Sequence, residues 1–179
     1  MKISASIKPL AMTFVLVLIA GCASLSKPAF VDGNSINQLA IQNLHHPEKR
    51  VYASGQPTQA ELRVLAQAGI KHVVNLRPAK EQTWSEAAFV QTLGMKYHAL
   101  PVAGAAGITD ENAAALAKVL HEIGGEPVLV HCSSGNRVGA LIALGEQAKG
   151  ANVDEAIAKG KRWGLTRLEP MVRDLLARP

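Results

Sequence analysis

The stretch Val128-Leu-Val130 runs straight into His131-Cys-Ser-Ser-Gly-Asn-Arg137, and a helical apolar spacing through Leu141, Ile142 and Leu144 resumes over Gly139 to Lys149. An apolar run this short, set between the turn Gly124-Gly-Glu-Pro127 and a polar loop, reads as a strand. Having no polar alternation, it belongs at the centre of a sheet with both faces covered. Strand, tight loop and helix in immediate succession commit the chain to a layered α/β fold, with a central, mostly parallel sheet flanked by helices.

The rest of the chain keeps this alternation. Val51-Tyr-Ala53 reads as a first strand, closed by Ser54-Gly-Gln-Pro57. Thr58-Gln-Ala-Glu61 is a capping box opening a helix with Leu62, Leu65 and Ala66 on its apolar face, and Gly69 ends it. His72 to Leu76 extends as strand, followed by the loop Arg77-Pro-Ala-Lys-Glu81. Thr83-x-x-Glu86 predicts a second capping box and a helix through Leu93, and Met95 to Pro101 returns as strand. Thr109 caps a third helix carrying Leu116, Val119, Leu120 and Ile123, and two terminal helices span about Val153 to Trp163 and Leu168 to Ala177. These elements place a single domain at 51–179.

Residues 1–21 carry an address rather than a fold. Lys2 and Lys8 flank the start, and the apolar run from Pro9 to Ala20 is far shorter than the roughly 20 residues needed to cross a bilayer. It ends in Ile19-Ala-Gly-Cys22, which resembles the lipobox of bacterial lipoproteins and implies cleavage before Cys22 and lipidation of that cysteine. By the same resemblance, Ala23 after the cysteine implies outer-membrane sorting, with the domain lipid-anchored and facing the periplasm. Residues 22–50, rich in Ser, Asn, Gln and His, read as a tether. Discounting Lys2 and Lys8 from the formal charge of +5 leaves about +3, too mild to imply a nucleic-acid partner.

The chain has two cysteines, so acylation of Cys22 would leave Cys132 without a disulfide partner. A cysteine is mostly protonated near neutral pH, and a helix amino terminus beside an arginine favours its thiolate, which is the nucleophilic form. Cys132 has both neighbours. The backbone amides of Ser133, Ser134, Gly135, Asn136 and Arg137 are expected to face a concavity at the helix start, where unpaired donors stabilise an anion. Gly135 lets the loop curl, and the planar fork of Arg137 suits bidentate binding of a tetrahedral oxyanion.

Three ordered motifs, Tyr52-Ala-Ser-Gly-Gln-Pro57, Val73-Val-Asn-Leu-Arg-Pro78 with Glu81 just after, and His131-Cys-Ser-Ser-Gly-Asn-Arg137, carry a resemblance to a known family. The chain resembles the cysteine-dependent tyrosine and dual-specificity phosphatases, and among them the beta-lactamase-hydrolase-like phosphatases, over about Val51 to Leu144. The resemblance implies that Cys132 attacks phosphorus to form a cysteinyl-phosphate, that Arg137 and the loop amides bind the equatorial oxygens, and that water releases phosphate without a metal or other cofactor. The substrate would be a phosphorylated protein or small molecule.

The chain departs from that pattern in two places. Only Ser133, Ser134, Gly135 and Asn136 separate Cys132 from Arg137, where those phosphatases have five residues. Loops of this shorter length occur in many rhodaneses, so a periplasmic sulfurtransferase working through a Cys132 persulfide and a sulfur donor is the alternative. Val138 stands where those phosphatases carry a Ser or Thr that helps expel the thiolate.

A phosphatase also needs an acid for the leaving oxygen, yet Val102 to Ile108 contains none. Asp110 is the nearest candidate, with a first-turn role at its helix as the competing reading. Glu81 is the second candidate, with pairing to Lys80 or Arg77 competing. His45, His46, His72, His98 and His121 show no metal-ligand spacing. A third reading, a non-catalytic lipoprotein using the cradle to hold an anion or a partner, stays open at this point.

Overall fold

The computed structural model of the chain describes residues 30–178, so residues 1–21, read above as a signal peptide, and Cys22 lie outside the described residues. Five strands form one sheet: β1 (His45–Glu48), β2 (Val51–Ser54), β3 (His72–Asn75), β4 (Lys96–Ala99) and β5 (Val128–His131). Their order is β1-β2-β5-β3-β4, with β1 antiparallel to β2 and the other pairs parallel. The apolar run ending at His131 is thus the middle strand, as its lack of polar alternation demands.

Seven helices cover the sheet: α1 (Gly33–Asn37), α2 (Gln59–Gln67), α3 (Glu86–Thr92), α4 (Asp110–Ile123), α5 (Asn136–Gln147), α6 (Val153–Arg162) and α7 (Glu169–Leu176). The strand pleat divides the core into two layers. Ala53, Val74 and Val130 point toward Leu116, Leu141, Ile157 and Val172 of α4 to α7. Tyr52, Val73 and Leu129 point toward Ile36, Leu62, Leu65 and Val90 of α1 to α3. The capping box at Thr58 and Glu61 and the Thr109 cap are formed as the sequence indicates.

Three expectations are corrected. The segment before Val51 is not a tether over its whole length. Ile36 and Ile41 are buried in the core, Asp32 caps α1, and β1 adds an edge strand, so the fold begins near residue 31. Ile36, Leu39, Ile41 and Leu44 are spaced by three, two and three residues, which fits neither a helical stripe nor strand alternation, and His45-His-Pro-Glu48 has the polar, proline-containing composition tolerated on an edge. Second, Thr83 and Glu86 form no capping box. The N-cap of α3 is Ser85, without a side-chain bond, and Glu86 is buried at 1% exposure. Third, α5 starts at Asn136 rather than Gly139, which places Arg137 in its first turn. Gly139 interrupts the apolar pattern because the helix is packed too closely for a side chain. A Cβ there would stand 2.2 Å from the Leu165 amide nitrogen and 2.5 Å from the Gly160 carbonyl oxygen.

Candidate active site

The parallel register sets Ser54 of β2 and Asn75 of β3 on either side of His131. The loops that leave the carboxyl ends of these three strands therefore open at one edge of the sheet, the usual place for a site in a parallel α/β fold. The three sequence motifs meet there.

The Cys132 loop is held from two sides. The Cys132 amide donates to the Ser54 carbonyl at 3.3 Å, and the Ser133 carbonyl accepts from the Gln56 amide at 3.3 Å. Because a trans peptide points its C=O and N–H in opposite directions, the Ser134 amide then faces away from the β2 loop. The Ser134 carbonyl accepts from Asn43 Nδ2 at 3.0 Å. Gly135, with φ of 81°, makes the turn into α5, and a Cβ on it would lie 2.5 Å from Asn43 Nδ2. Only glycine serves both the left-handed backbone and that close approach. The first-turn amides of α5, which have no intrahelical acceptor, begin directly after the turn.

Cys132 and Arg137 are both buried, at 1% and 7% exposure. Arg137 Nη1 donates to the Val102 carbonyl at 2.7 Å and to Glu81 Oε1 at 3.0 Å, while Nη2 donates to Glu81 Oε2 at 2.6 Å and to Ser133 Oγ at 2.8 Å. The Ser133 hydroxyl donates in turn to Glu81 Oε2 at 3.0 Å. Glu81 therefore grips the fork that the sequence assigned to an oxyanion. Burial works against the Arg137 charge, but the Glu81 hydrogen bonds and the neighbouring Cys132 outweigh it and hold the guanidinium more firmly protonated. The hydrogen bonds from Arg137, against a smaller desolvation effect, keep the Glu81 carboxyl below its ordinary range.

Behind this layer lies a second one that the sequence did not reveal. His131 Nε2 and Glu86 Oε1 are 2.7 Å apart with both side chains essentially inaccessible to solvent. Gln56 Nε2 donates to Glu86 Oε2 at 2.6 Å, and Arg77 donates to the Gln56 side chain and to the Glu81 carbonyl. The Arg77 amide donates to Asn75 Oδ1 at 2.7 Å. Burial pushes the Glu86 carboxyl up, but its bonds to His131 and Gln56 and the nearby Arg77 charge outweigh this and hold it below the ordinary range. Glu86 was hidden because Thr-x-x-Glu before an apolar run reads as a helix cap. Gln56 and Arg77 stand inside the quoted motifs, but nothing in their spacing says that they touch.

The cleft over Arg137 has a volume of about 390 Å³ and is lined by Glu81, Gly104, Ala105, Ser134, Asn136, Arg137, Arg167 and Leu168. The two candidate acids part company here. Asp110 is absent from this lining and instead borders a separate cleft with Ile108, Thr109, Glu111, Gln147 and Arg178. As the first residue of α4, it stands where a carboxylate complements the helix dipole. Glu81 is in the cleft, but Arg137 and Ser133 favour its ionised form, the wrong form for donating a proton. Asn136 also departs from expectation. Its side chain turns out of the cradle to Thr166 and the Leu168 amide, so Asn136 offers an anion only its backbone.

Residues 26–167 match the family described as DSP-PTPase phosphatase fused to NAD+ kinase. The chain belongs to this family. Among curated relatives, the beta-lactamase hydrolase-like protein of Xylella fastidiosa is 34% identical over 122 residues, covering 65% of this chain and 28% of the relative. The Agrobacterium fabrum protein of the same description is 33% identical over 107 residues, covering 57% and 24%. The chain thus spans about a quarter of the length of the curated relatives it matches. An inferred phosphatase from Neisseria meningitidis superposes with a TM-score of 0.62 at 26% identity, covering 76% of this chain and 97% of that one. The core catalytic domain of the PP-IP phosphatase from S. cerevisiae shares the fold, with a TM-score of 0.61 at 18% identity and coverage of 77% and 87%. The phosphatase resemblance read from the three motifs is thus established, and so is the α/β architecture that it implied.

Proposed function

We propose that the protein hydrolyses phosphate esters through a cysteinyl-phosphate on Cys132. The observation that carries this reading is the burial of Cys132 and Arg137 on one short loop, with the arginine fork fixed by Glu81, Val102 and Ser133. Preorganised loop amides at the start of α5 and the adjacent Arg137 charge stabilise charge that develops on phosphorus-bound oxygens. Cys132 Sγ forms the bond to phosphorus as the ester oxygen leaves. Water then attacks the thiophosphate bond, releasing phosphate and returning the thiol. A para-nitrophenyl phosphate assay with mass analysis of the protein tests this. A phosphoryl adduct on Cys132, and inhibition by vanadate as a transition-state mimic, are expected. Thiocyanate release from thiosulfate and cyanide, with a persulfide on Cys132 and no phosphoryl adduct, would instead make the protein a sulfurtransferase, the chemistry that the short loop also accommodates.

Val138 is fully buried and carries no hydroxyl, so the adduct is expected to accumulate in the steady state. Val138→Ser should then raise turnover several-fold, and unchanged turnover would show that breakdown of the adduct is not limiting.

Glu81 serves in this reading to hold Arg137. Glu81→Gln is expected to lower kcat/KM by about tenfold, on the order of one charge-assisted hydrogen bond. The loss should be equal for para-nitrophenyl phosphate and for an alkyl phosphate. A much larger loss on the alkyl ester would identify Glu81 as the general acid instead.

The envelope setting is part of the same proposal and rests on Ile19-Ala-Gly-Cys22. No described helix is long and apolar enough to cross a membrane, so a lipid on Cys22 would be the attachment. Cys22→Ala should move the protein from the membrane fraction to the soluble one, and an unchanged distribution would remove the anchor.

A further inference from the structure

We propose that the substrate carries a second anionic group, a phosphate or a carboxylate, beside the scissile phosphate, and that Arg167 binds it. The proposal rests on the phosphatase reading and adds a substrate class to it.

Arg167 stands on the wall of the cleft that holds Arg137, within the segment that joins α6 to α7. This segment is sewn to the Cys132 loop at several points. Asn136 Nδ2 donates to Thr166 Oγ1 at 2.7 Å, and Asn136 Oδ1 accepts from the amides of Thr166 at 2.9 Å and Leu168 at 3.2 Å. Asn43 Nδ2 bridges the carbonyls of Ser134 and Gly164, at 3.0 and 2.9 Å. The residues on either side of Arg167 are therefore tied to one residue of the anion cradle. Ordering of this backbone is complete before any ligand arrives, which lowers the entropy lost on binding.

The Arg167 side chain is exposed, and no acid lies within ion-pairing distance of it among the described residues. Of the neighbouring cations, Lys161 pairs with Glu169 at 2.8 Å and Arg173 pairs with both Asp154 and Glu169, while Arg162 does not line the cleft. A cation carried on an anchored backbone, with five N–H donors and no protein acceptor, on the wall of a cleft sized for a small molecule, suits an external oxyanion. Arg137 takes the reacting phosphate in the floor, so Arg167 is left for a substituent that does not react. No side chain lining the cleft is aromatic and its apolar members are only Gly104, Ala105 and Leu168, so charge is the strongest recognition handle there.

The test compares phenyl phosphate, 1,3-phenylene bisphosphate and 3-carboxyphenyl phosphate. Binding is measured by calorimetry on full-length Cys132→Ser protein, and hydrolysis on the wild type. The bisphosphate should bind about tenfold more tightly than phenyl phosphate, beyond the twofold statistical advantage of two equivalent groups. The carboxyphenyl arm distinguishes a phosphate preference from a general anion preference. Arg167→Ala in the same background should collapse the ratio to the statistical value, Arg167→Lys should restore part of it, and raised ionic strength should shrink it. The readout is a ratio, which a general loss of affinity leaves alone. Equal binding of the esters, binding of neither, or a ratio indifferent to Arg167→Ala overturns the proposal. If the wild type hydrolyses none of the esters while the Arg167-dependent ratio persists in binding, the phosphatase reading falls and the second-anion site stands.

Discussion

Arg137→Ala is expected to reduce kcat/KM on para-nitrophenyl phosphate by about a thousandfold or more, in the range seen when a transition-state charge donor is removed. The same substitution strands Glu81, whose carboxylate has Arg137 as its main partner in the cleft. A double-mutant cycle separates the two consequences. If Glu81 acts by holding the guanidinium, Arg137→Ala with Glu81→Gln should be no slower than Arg137→Ala alone. An additional tenfold loss in the double variant would mean that Glu81 contributes independently of the arginine. Cys132→Ser should lose the activity and the phosphoryl adduct altogether while keeping phosphate affinity. Retained turnover in that variant would remove covalent catalysis.

The second large effect is on stability. Glu86→Ala leaves His131 Nε2 without a partner at a position with no solvent access, and unpairing a buried charge-assisted bond of this kind costs about 3 to 5 kcal/mol. That is a large part of the total stability of a domain this size. His131 Nδ1 has no hydrogen-bond partner, so the Glu86 bond is the one polar contact that fixes the ring beside Cys132. Glu86→Gln keeps the shape and should cost less, about 1 to 3 kcal/mol. Urea denaturation of the two variants checks the order, and a loss below 1 kcal/mol for Glu86→Ala would show that the pair is not structural. The same pair sets an acid limit. Glu81 and Glu86 are held below the ordinary carboxylate range in the fold, so on acidification the unfolded chain takes up their protons first. Their contribution is present above the ordinary glutamate value of about 4.3 and is lost as the pH falls through the lower folded values. The wild type should therefore destabilise steeply below about pH 4.5, and Glu86→Gln should do so less steeply.

Much of this was readable along the chain because it depends on neighbours in sequence. The alternation of strand and helix, the caps at Thr58 and Thr109, the left-handed turn at Gly135 and the pairing of Cys132 with a helix start are local, set by backbone sterics and by apolar spacing within one element. Cys132 and Arg137 belong to that class, since the loop that joins them is only a few residues long. The interactions that place the site residues relative to one another were not readable. Glu81 reaches Arg137 across 56 residues, Glu86 reaches His131 across 45, and Asn43 reaches Gly164 across 121. The sequence alone determined the α/β architecture and the placing of Cys132 and Arg137 on one loop at a helix start. The tertiary structure alone decided that Glu81 holds the arginine, that Asp110 borders another cleft, and that Glu86 is a buried partner of His131 rather than a cap. A carboxylate's role depends on which distant donor it meets and how much water it keeps, and parallel register, not local propensity, brings those donors to one edge of the sheet.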